Sequence, residues 1–359
     1  MKKNFLSTFL LCTILIVCLF VDSSKNEKKE YFNQEFGFNY TQYYDENGCK
    51  VTTYFNKVED EKLIKLSSNN FNYEYIKAVL RTIGMKDKFI EKLSFNQLEK
   101  YKNAQSISGI ITYNRIDENG NISIVTEDEA NEAAVSYSTY SGIDPNPSFD
   151  YDGDSSGYPS YYSSYGDEYI EILYVVSYLG DGKYLYSTDA EWITVPLFRG
   201  EDSIGSCAQE STVINSSRTG WYGYERITHK YPNIFQEEKI NEEYIENTFS
   251  TNDFSNAING NWYGSVAIFD LPINLYDEFI SIYYKNFIVH YEYEGTVLYP
   301  EQELNFCTFA TYEHTKLALN ISPSASIDLG GISPSIGISL SSTSDVFDLE
   351  LSDVIRYRP

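Results

Sequence analysis

Apolar and polar residues alternate in two rhythms along this chain, and the rhythm changes once. Between about residue 70 and residue 104 it is helical. Tyr75, Ile76, Val79, Leu80 and Ile83 recur at spacings of three and four and share a face, and Gly84 stands where a helix end favours a left-handed residue. Phe89, Ile90 and Leu93 mark a short second helix. Ser94 and Gln97 stand three apart at the start of a third, the pattern of a capping box, with Leu98 and Tyr101 on its inner face. Two hairpins flank this cluster. The first pairs Gln42-Tyr43-Tyr44 with Lys50 to Tyr54 across Asp45-Glu46-Asn47-Gly48, and the second runs from Ile107 to Val125 across Asp117-Glu118-Asn119-Gly120. Asn-Gly favours such turns because both residues tolerate positive φ. Thr126 and Glu129 predict one more capped helix, through Val135.

From Tyr169 onward the period is two. Ile170, Ile172, Tyr174, Val176 and Tyr178 share one strand face, and Gly180-Asp181-Gly182 turns the chain back into Tyr184 to Val195. Phe287, Val289, Tyr291 and Tyr293 lie on one face of a later strand, which places His290 on the other face as a solvated residue. Leu304 to Ile321 continues the strands, and Leu317 to Leu340 alternates apolar residues with Ser and Gly, interrupted by Pro323 and Pro334, as a sandwich edge does. Between the rhythms, residues 136–168 are dominated by Tyr, Ser, Gly, Asp and Pro and read as a linker or long loop. The expected organisation is an α+β region over 24–135, that loop, and a C-terminal antiparallel β-sandwich over 169–359: a mainly β protein with a small α+β N-terminal region.

The first 23 residues stand apart. Lys2 and Lys3 precede an uncharged apolar run from Phe5 to Val21, and small or polar residues follow at Asp22-Ser23. This is the layout of a secretory signal peptide, so the remainder is expected to be secreted. An uncleaved N-terminal membrane anchor facing outside is the alternative, and a lipoprotein reading at Cys18 fails because Val17 is not small. No other apolar run is long enough to cross a membrane, so membrane contact is expected only through this segment, if uncleaved.

Composition narrows the partners. The chain carries 27 Lys plus Arg against 52 Asp plus Glu, a net charge of -25. Nucleic acid is disfavoured, because its phosphates need basic side chains to replace their counterions. Divalent cations are favoured instead. The 34 Tyr and 21 Phe suit strands and ligand-stacking surfaces, and they also match a composition rich in Asn, Lys and Ile. Cys49, Cys207 and Cys307 follow the signal segment; three thiols in an oxidising compartment allow one internal disulfide, and Cys207 with Cys307 is the expected pair because both fall in the sandwich.

The stretch Glu191-Trp192-Ile193-Thr194-Val195-Pro196-Leu197-Phe198-Arg199-Gly200, with Asp202 and Gly205 after it, resembles segments of secreted proteins of unknown function from Gram-positive bacteria. Ile83-Gly84-Met85 and Ile90-Glu91-Lys92-Leu93 are similar to theirs as well. The resemblance covers about a third of the chain and involves no motif of known chemistry. It implies secretion and a shared fold, and no activity.

Four groups of residues carry candidate chemistry. Asp144, Asp150, Asp152 and Asp154 are alternate carboxylates around Gly153 and are the candidate calcium ligands, although they do not follow an EF-hand and compete with a plain solvated acidic loop. Trp221-Tyr222-Gly223 and Trp262-Tyr263-Gly264 echo one another; exposed, such rings would present flat platforms to a sugar, and buried they would be core aromatics at strand starts. Gly153-Asp154-Ser155-Ser156-Gly157 has the spacing of a nucleophile elbow without the strand and helix that an elbow needs. Cys207, with His229, His290 or His314 as base, lacks the helix N-terminus that would stabilise a thiolate. The function expected is therefore a non-catalytic extracellular protein binding a surface glycan or a protein. The alternatives are an extracellular hydrolase acting through paired carboxylates, which have no signature of their own, and a structural surface component.

Overall fold

The computed structural model describes residues 27–56, 69–117, 121–140, 167–196, 201–209, 211–230, 239–259, 262–276, 280–297, 308–315 and 344–351. The signal segment, the predicted calcium loop with Asp144, Asp150, Asp152 and Asp154, the elbow-like Gly153–Gly157 and the Leu317–Leu340 alternation lie outside these residues. The protein is mainly β and antiparallel, as its period-two segments predict. It divides into two compact units between Ile111 and Thr112. That division falls inside a strand, well before the 136–168 segment.

The first unit holds β1 (Lys29–Asn33), β2 (Phe38–Tyr44), β3 (Lys50–Phe55), helices α1 (Asn69–Ile83), α2 (Asp87–Ile90) and α3 (Phe95–Asn103), and the first half of β4 (Ser106–Ile116). The four strands pair antiparallel in chain order. The first hairpin turns as its sequence requires. The Asp45 carboxylate accepts hydrogen bonds from the Asn47 and Cys49 N–H groups at 2.9 and 2.7 Å, and Gly48 adopts φ +85°. Helix α1 ends at Gly84, with φ +120°, whose N–H reaches the Leu80 and Arg81 carbonyls. Ser94 and Gln97 close the reciprocal capping box at the head of α3. The apolar stripe of α1 meets the sheet through aromatic rings: Tyr75 lies edge-on to Phe38, and its hydroxyl is 3.0 Å from that of Tyr54.

The second unit begins with the far half of β4, which pairs with β5 (Ile122–Val125). Helix α4 (Glu127–Tyr140) follows, with Thr126 Oγ1 accepting from the Glu129 N–H as the cap spacing predicts. Apart from one turn of 3-10 helix at Asn215–Ser217, the remaining described elements are strands: β6 (Glu168–Gly180), β7 (Lys183–Trp192), β8 (Glu201–Gln209), β9 (Ser211–Val213), β10 (Thr219–Lys230), β11 (Lys239–Thr248), β12 (Phe254–Asn259), β13 (Trp262–Asp270), β14 (Leu275–Tyr276), β15 (Ile280–Val297), β16 (Thr308–Thr315) and β17 (Ser344–Leu351). One sheet runs β6-β7-β15-β10-β11, with β9 and β14 also pairing to the long β15, and the other runs β12-β13-β8-β16-β17. The two sheets pack face to face, the sandwich expected from sequence. Tyr293 Oη donates to the Ser206 carbonyl at 2.9 Å and Trp192 Nε1 to Tyr312 Oη at 3.0 Å, each from the first sheet to the second. Tyr222 against Phe269 and Tyr291 against Phe254 add ring contacts across the same gap.

Many of the tyrosines are spent on this core. Tyr178, Tyr184, Tyr186, Tyr293 and Tyr291 follow one another across β6, β7 and β15 with ring centroids 5.0 to 6.2 Å apart. Burial pushes the phenols of Tyr186 and Tyr293 well above their ordinary range, so they remain neutral in the core. Among the described residues no helix is long and apolar enough to cross a membrane.

Candidate functional site

Antiparallel pairing places the two best-defined polar groups. In the first sheet β15 lies against β7 so that His290 faces Asp189 directly, and Glu292 faces Ser187 on the next rung of the same side. In the second sheet β16 lies against β8 with Glu313 opposite Ser203, so the following rung brings His314 beside Asp202. Both are cross-strand histidine–aspartate rungs, and each has a tryptophan ring against its imidazole.

At the first rung, His290 Nδ1 is 2.6 Å from Asp189 Oδ1 and Nε2 is 3.7 Å from Glu292 Oε2. Trp221 stacks on the imidazole with centroids 5.9 Å apart. His290 and Glu292 are both 0% exposed and Asp189 is 2% exposed. Burial acts to lower the His290 pKa, but the Asp189 and Glu292 carboxylates overcome it, and the imidazole is pushed up to about 10. Asp189 is raised in turn, because burial outweighs the attraction of His290. Among the described residues, His290 Nε2, Asp189 Oδ2, Ser187 Oγ and both Glu292 oxygens have no hydrogen-bond partner.

The second rung is more fully bonded. His314 Nδ1 is 2.9 Å from Asp202 Oδ1 and 3.1 Å from Oδ2, and Tyr312 Oη donates to Oδ2. Tyr312 accepts in turn from Trp192 Nε1, and the Trp192 ring lies edge-on to His314 at 4.8 Å. Burial and the Asp202 charge hold Tyr312 well above the usual phenol range, which keeps it a donor.

These rungs correct the sequence expectation for His290. It is buried, because residues on both faces of β6, β7 and β15 are buried and period-two alternation then separates two interiors rather than inside from outside. His229 is buried too, edge-on to Tyr283. The chemistry the rungs can perform is confined by this burial. An imidazole held by a carboxylate is the orienting half of an acid–base relay, yet what stands at His290 Nε2 is Glu292 and not a hydroxyl or thiol. Cys207 lies in mid-strand on β8 opposite Phe309, and His314 is five residues further along β16, or roughly 16 Å at strand rise. The two do not meet. Cys207 is fully buried; Cys307, its expected disulfide partner, lies outside the described residues. Among the described residues no group of three or more His, Cys, Asp or Glu is arranged to hold a metal ion.

The aromatic echo does not form one platform. Trp221 is 8% exposed and its ring is taken up by His290, so it is a core aromatic and not a surface ring. Tyr222, its neighbour, points to the opposite face, stacked on Phe249 and tilted against Phe269. Trp262 lies against Phe309 on the second sheet, 5.0 Å away, with Tyr263 on the other face of that strand. Tyr222, Trp262 and Tyr263 stay half-buried.

Exposure is concentrated elsewhere in this unit, on β11. None of its ten residues is buried, and among the described residues it pairs only with β10. Its register with β10 is unbroken from Trp221 opposite Thr248 to Lys230 opposite Lys239. Ile240, Glu242, Tyr244 and Glu246 share one side of the strand and all are exposed. Sequence reading passed over this strand because Glu, Asn and Lys depress strand propensity. Its one available signal was the alternation of Ile240, Tyr244 and the acidic residues between them. Comparison with known protein families and with curated proteins finds no match to this chain.

Proposed function

We propose that this is a secreted, non-catalytic binding protein that engages an extracellular protein or surface glycan. The observation that carries the reading is the contrast between the histidine–carboxylate rungs, buried in the interior, and β11, among the described residues a ten-residue edge strand with no buried residue. Acid–base groups sealed from solvent orient strands; an open sheet edge offers main-chain donors and acceptors to another molecule. Secretion enters through the N-terminal apolar run, and the net charge of -25 leaves nucleic acid and anionic lipid disfavoured. The test is retention of the full secreted chain on a panel of cell-wall polysaccharides, host glycans and extracellular proteins, with product analysis of every retained glycan. Saturable retention without turnover is the expected result. Cleavage of a retained glycan would replace the reading with the hydrolase, and no retention on any surface would leave only a structural role.

A further inference from the structure

We infer that β11 is the docking edge for an extended, cationic segment of a partner protein, which adds to the sheet as its next strand. This rests on the binding reading above and names the class of partner. An exposed strand edge is a template for another strand, and folded proteins guard such edges with short length, proline, bulges or charge. At ten residues β11 is long, it contains no proline, and its ladder with β10 has no irregularity. The guard that remains is charge, and it is almost entirely of one sign. Glu242, Glu243 and Glu246 lie along the strand, with Lys239 as its only basic residue, at its start. Arg226 on β10 bridges Glu243, while Glu242 and Glu246 lie on the other face of the strand and are exposed.

A one-signed guard is selective. A second copy of this chain brings the same acidic strand and a net charge of -25, so copy-to-copy pairing is opposed by like charges. A basic strand meets no such barrier. The exposed row Ile240, Glu242, Tyr244, Glu246 alternates apolar with acidic positions, and Ile240 and Tyr244 are 51% and 46% exposed. Tyr244 is seated over β10 where Gly223 leaves room, since a Cβ at that position would overlap the Tyr244 hydroxyl. The complementary segment therefore carries basic residues at alternate positions of one face, opposite Glu242 and Glu246, with apolar or aromatic residues between them. Main-chain hydrogen bonds would supply affinity, and this alternation the specificity.

The experiment uses the full secreted chain and three short probes of equal length: threonine alternating with Lys, Tyr, Lys and Val; the same peptide with Glu in place of Lys; and a scrambled basic peptide. Affinity is read by calorimetry and the docking site by amide hydrogen exchange. The expected result is selective binding of the alternating basic probe with slowed exchange confined to residues 239–248. The variant E242K/E246K should weaken that binding by at least about tenfold, from two cross-strand charge pairs turned repulsive, and should bind the acidic probe instead. That switch of preference excludes misfolding as the cause. Equal binding of the basic probe by both chains, no preference over the scrambled peptide, or protection outside β11 would each overturn the assignment. The panel used for the binding reading separates the two claims. A ligand retained equally by wild type and E242K/E246K sinks the β11 assignment alone, whereas a wild-type chain that retains nothing sinks the reading beneath it.

Discussion

Compare the two histidine–aspartate rungs. At His314 both oxygens of Asp202 are engaged, by the imidazole and by the Tyr312 hydroxyl, which is itself held by Trp192. At His290 a second carboxylate, Glu292, approaches the imidazole only to 3.7 Å and has no hydrogen-bond partner among the described residues. The same cross-strand pairing has thus been completed in two ways, one by a chain of hydrogen bonds between the sheets and one by a single hydrogen bond to Asp189 with the charge of a second carboxylate beside it. Buried ions supported by hydrogen bonds lose a bond at a time when altered; buried ions supported by charge depend on the counter-ion.

The largest expected effect follows directly. His290→Leu removes the cation that Asp189 and Glu292 share and leaves two buried carboxylates without it, a loss of about 3–5 kcal/mol in unfolding free energy, measured by urea denaturation at neutral pH. If the loss is under about 1 kcal/mol, comparable with a surface pair, the rung is not held by charge and the comparison breaks. The same variant fixes the pH dependence. His290 is raised from 6.5 in its ordinary state to about 10 in the fold. A group raised on folding gives its full stabilisation below its unfolded pKa and loses it as pH rises through its folded one. The advantage of wild type over His290→Leu should therefore be greatest near pH 6 and shrink steadily toward pH 10. A constant difference over that range would mean the imidazole is neutral in the fold.

Asp202→Asn should come next, at about 1.5–3 kcal/mol, the scale of hydrogen bonds to a charged group. It should also uncouple Tyr312. That phenol sits well above its ordinary pKa partly through the Asp202 charge, and ultraviolet titration should find one tyrosine moved down in the variant. A stability loss with no change in the tyrosine titration would place the cost in packing and not in the carboxylate.

How much of this was legible in the sequence follows from how local each feature is. Gly48, Gly84, the Ser94–Gln97 capping box and the Thr126 cap need only neighbours within five residues, and each appears where the sequence puts it. The sandwich was legible because alternation and turns recur from Tyr169 onward. The His290 rung was not, because its partner Asp189 is 101 residues away and nothing in either segment announces the register that joins them. Alternation misled at the same place: Phe287, Val289, Tyr291 and Tyr293 are inside as expected, but so are Ile288, His290 and Glu292. Trp221, readable from sequence either as a surface platform or as a core aromatic, is the latter, its ring against His290. β11 is the converse case, a strand that side-chain propensities argue against and that ten rungs of pairing with β10 hold in place.

The smallest predicted effect is the sharpest test of the contrast. Glu292→Gln deletes a buried charge with almost no change of volume. If Glu292 were doing at its rung what Asp202 does at the other, the substitution would cost as much as Asp202→Asn. Its oxygens, however, have no hydrogen bonds among the described residues to lose, and ionising a buried carboxylate carries a desolvation cost that the amide does not. The two terms oppose one another: weaker attraction to His290 on one side, relief of desolvation and of repulsion with Asp189 on the other. The expected change is within about 1 kcal/mol of zero, as for other replacements of a buried ion by a neutral group of similar size. The readout that separates this from a merely tolerant site is again the titration of His290. With one of its two carboxylates gone, its pKa should fall below about 10 while remaining above 6.5, because Asp189 stays in place at 2.6 Å. An imidazole whose titration does not move when Glu292 becomes Gln would show that the 3.7 Å separation carries no interaction, and the first rung would then reduce to the same aspartate–histidine pair as the second.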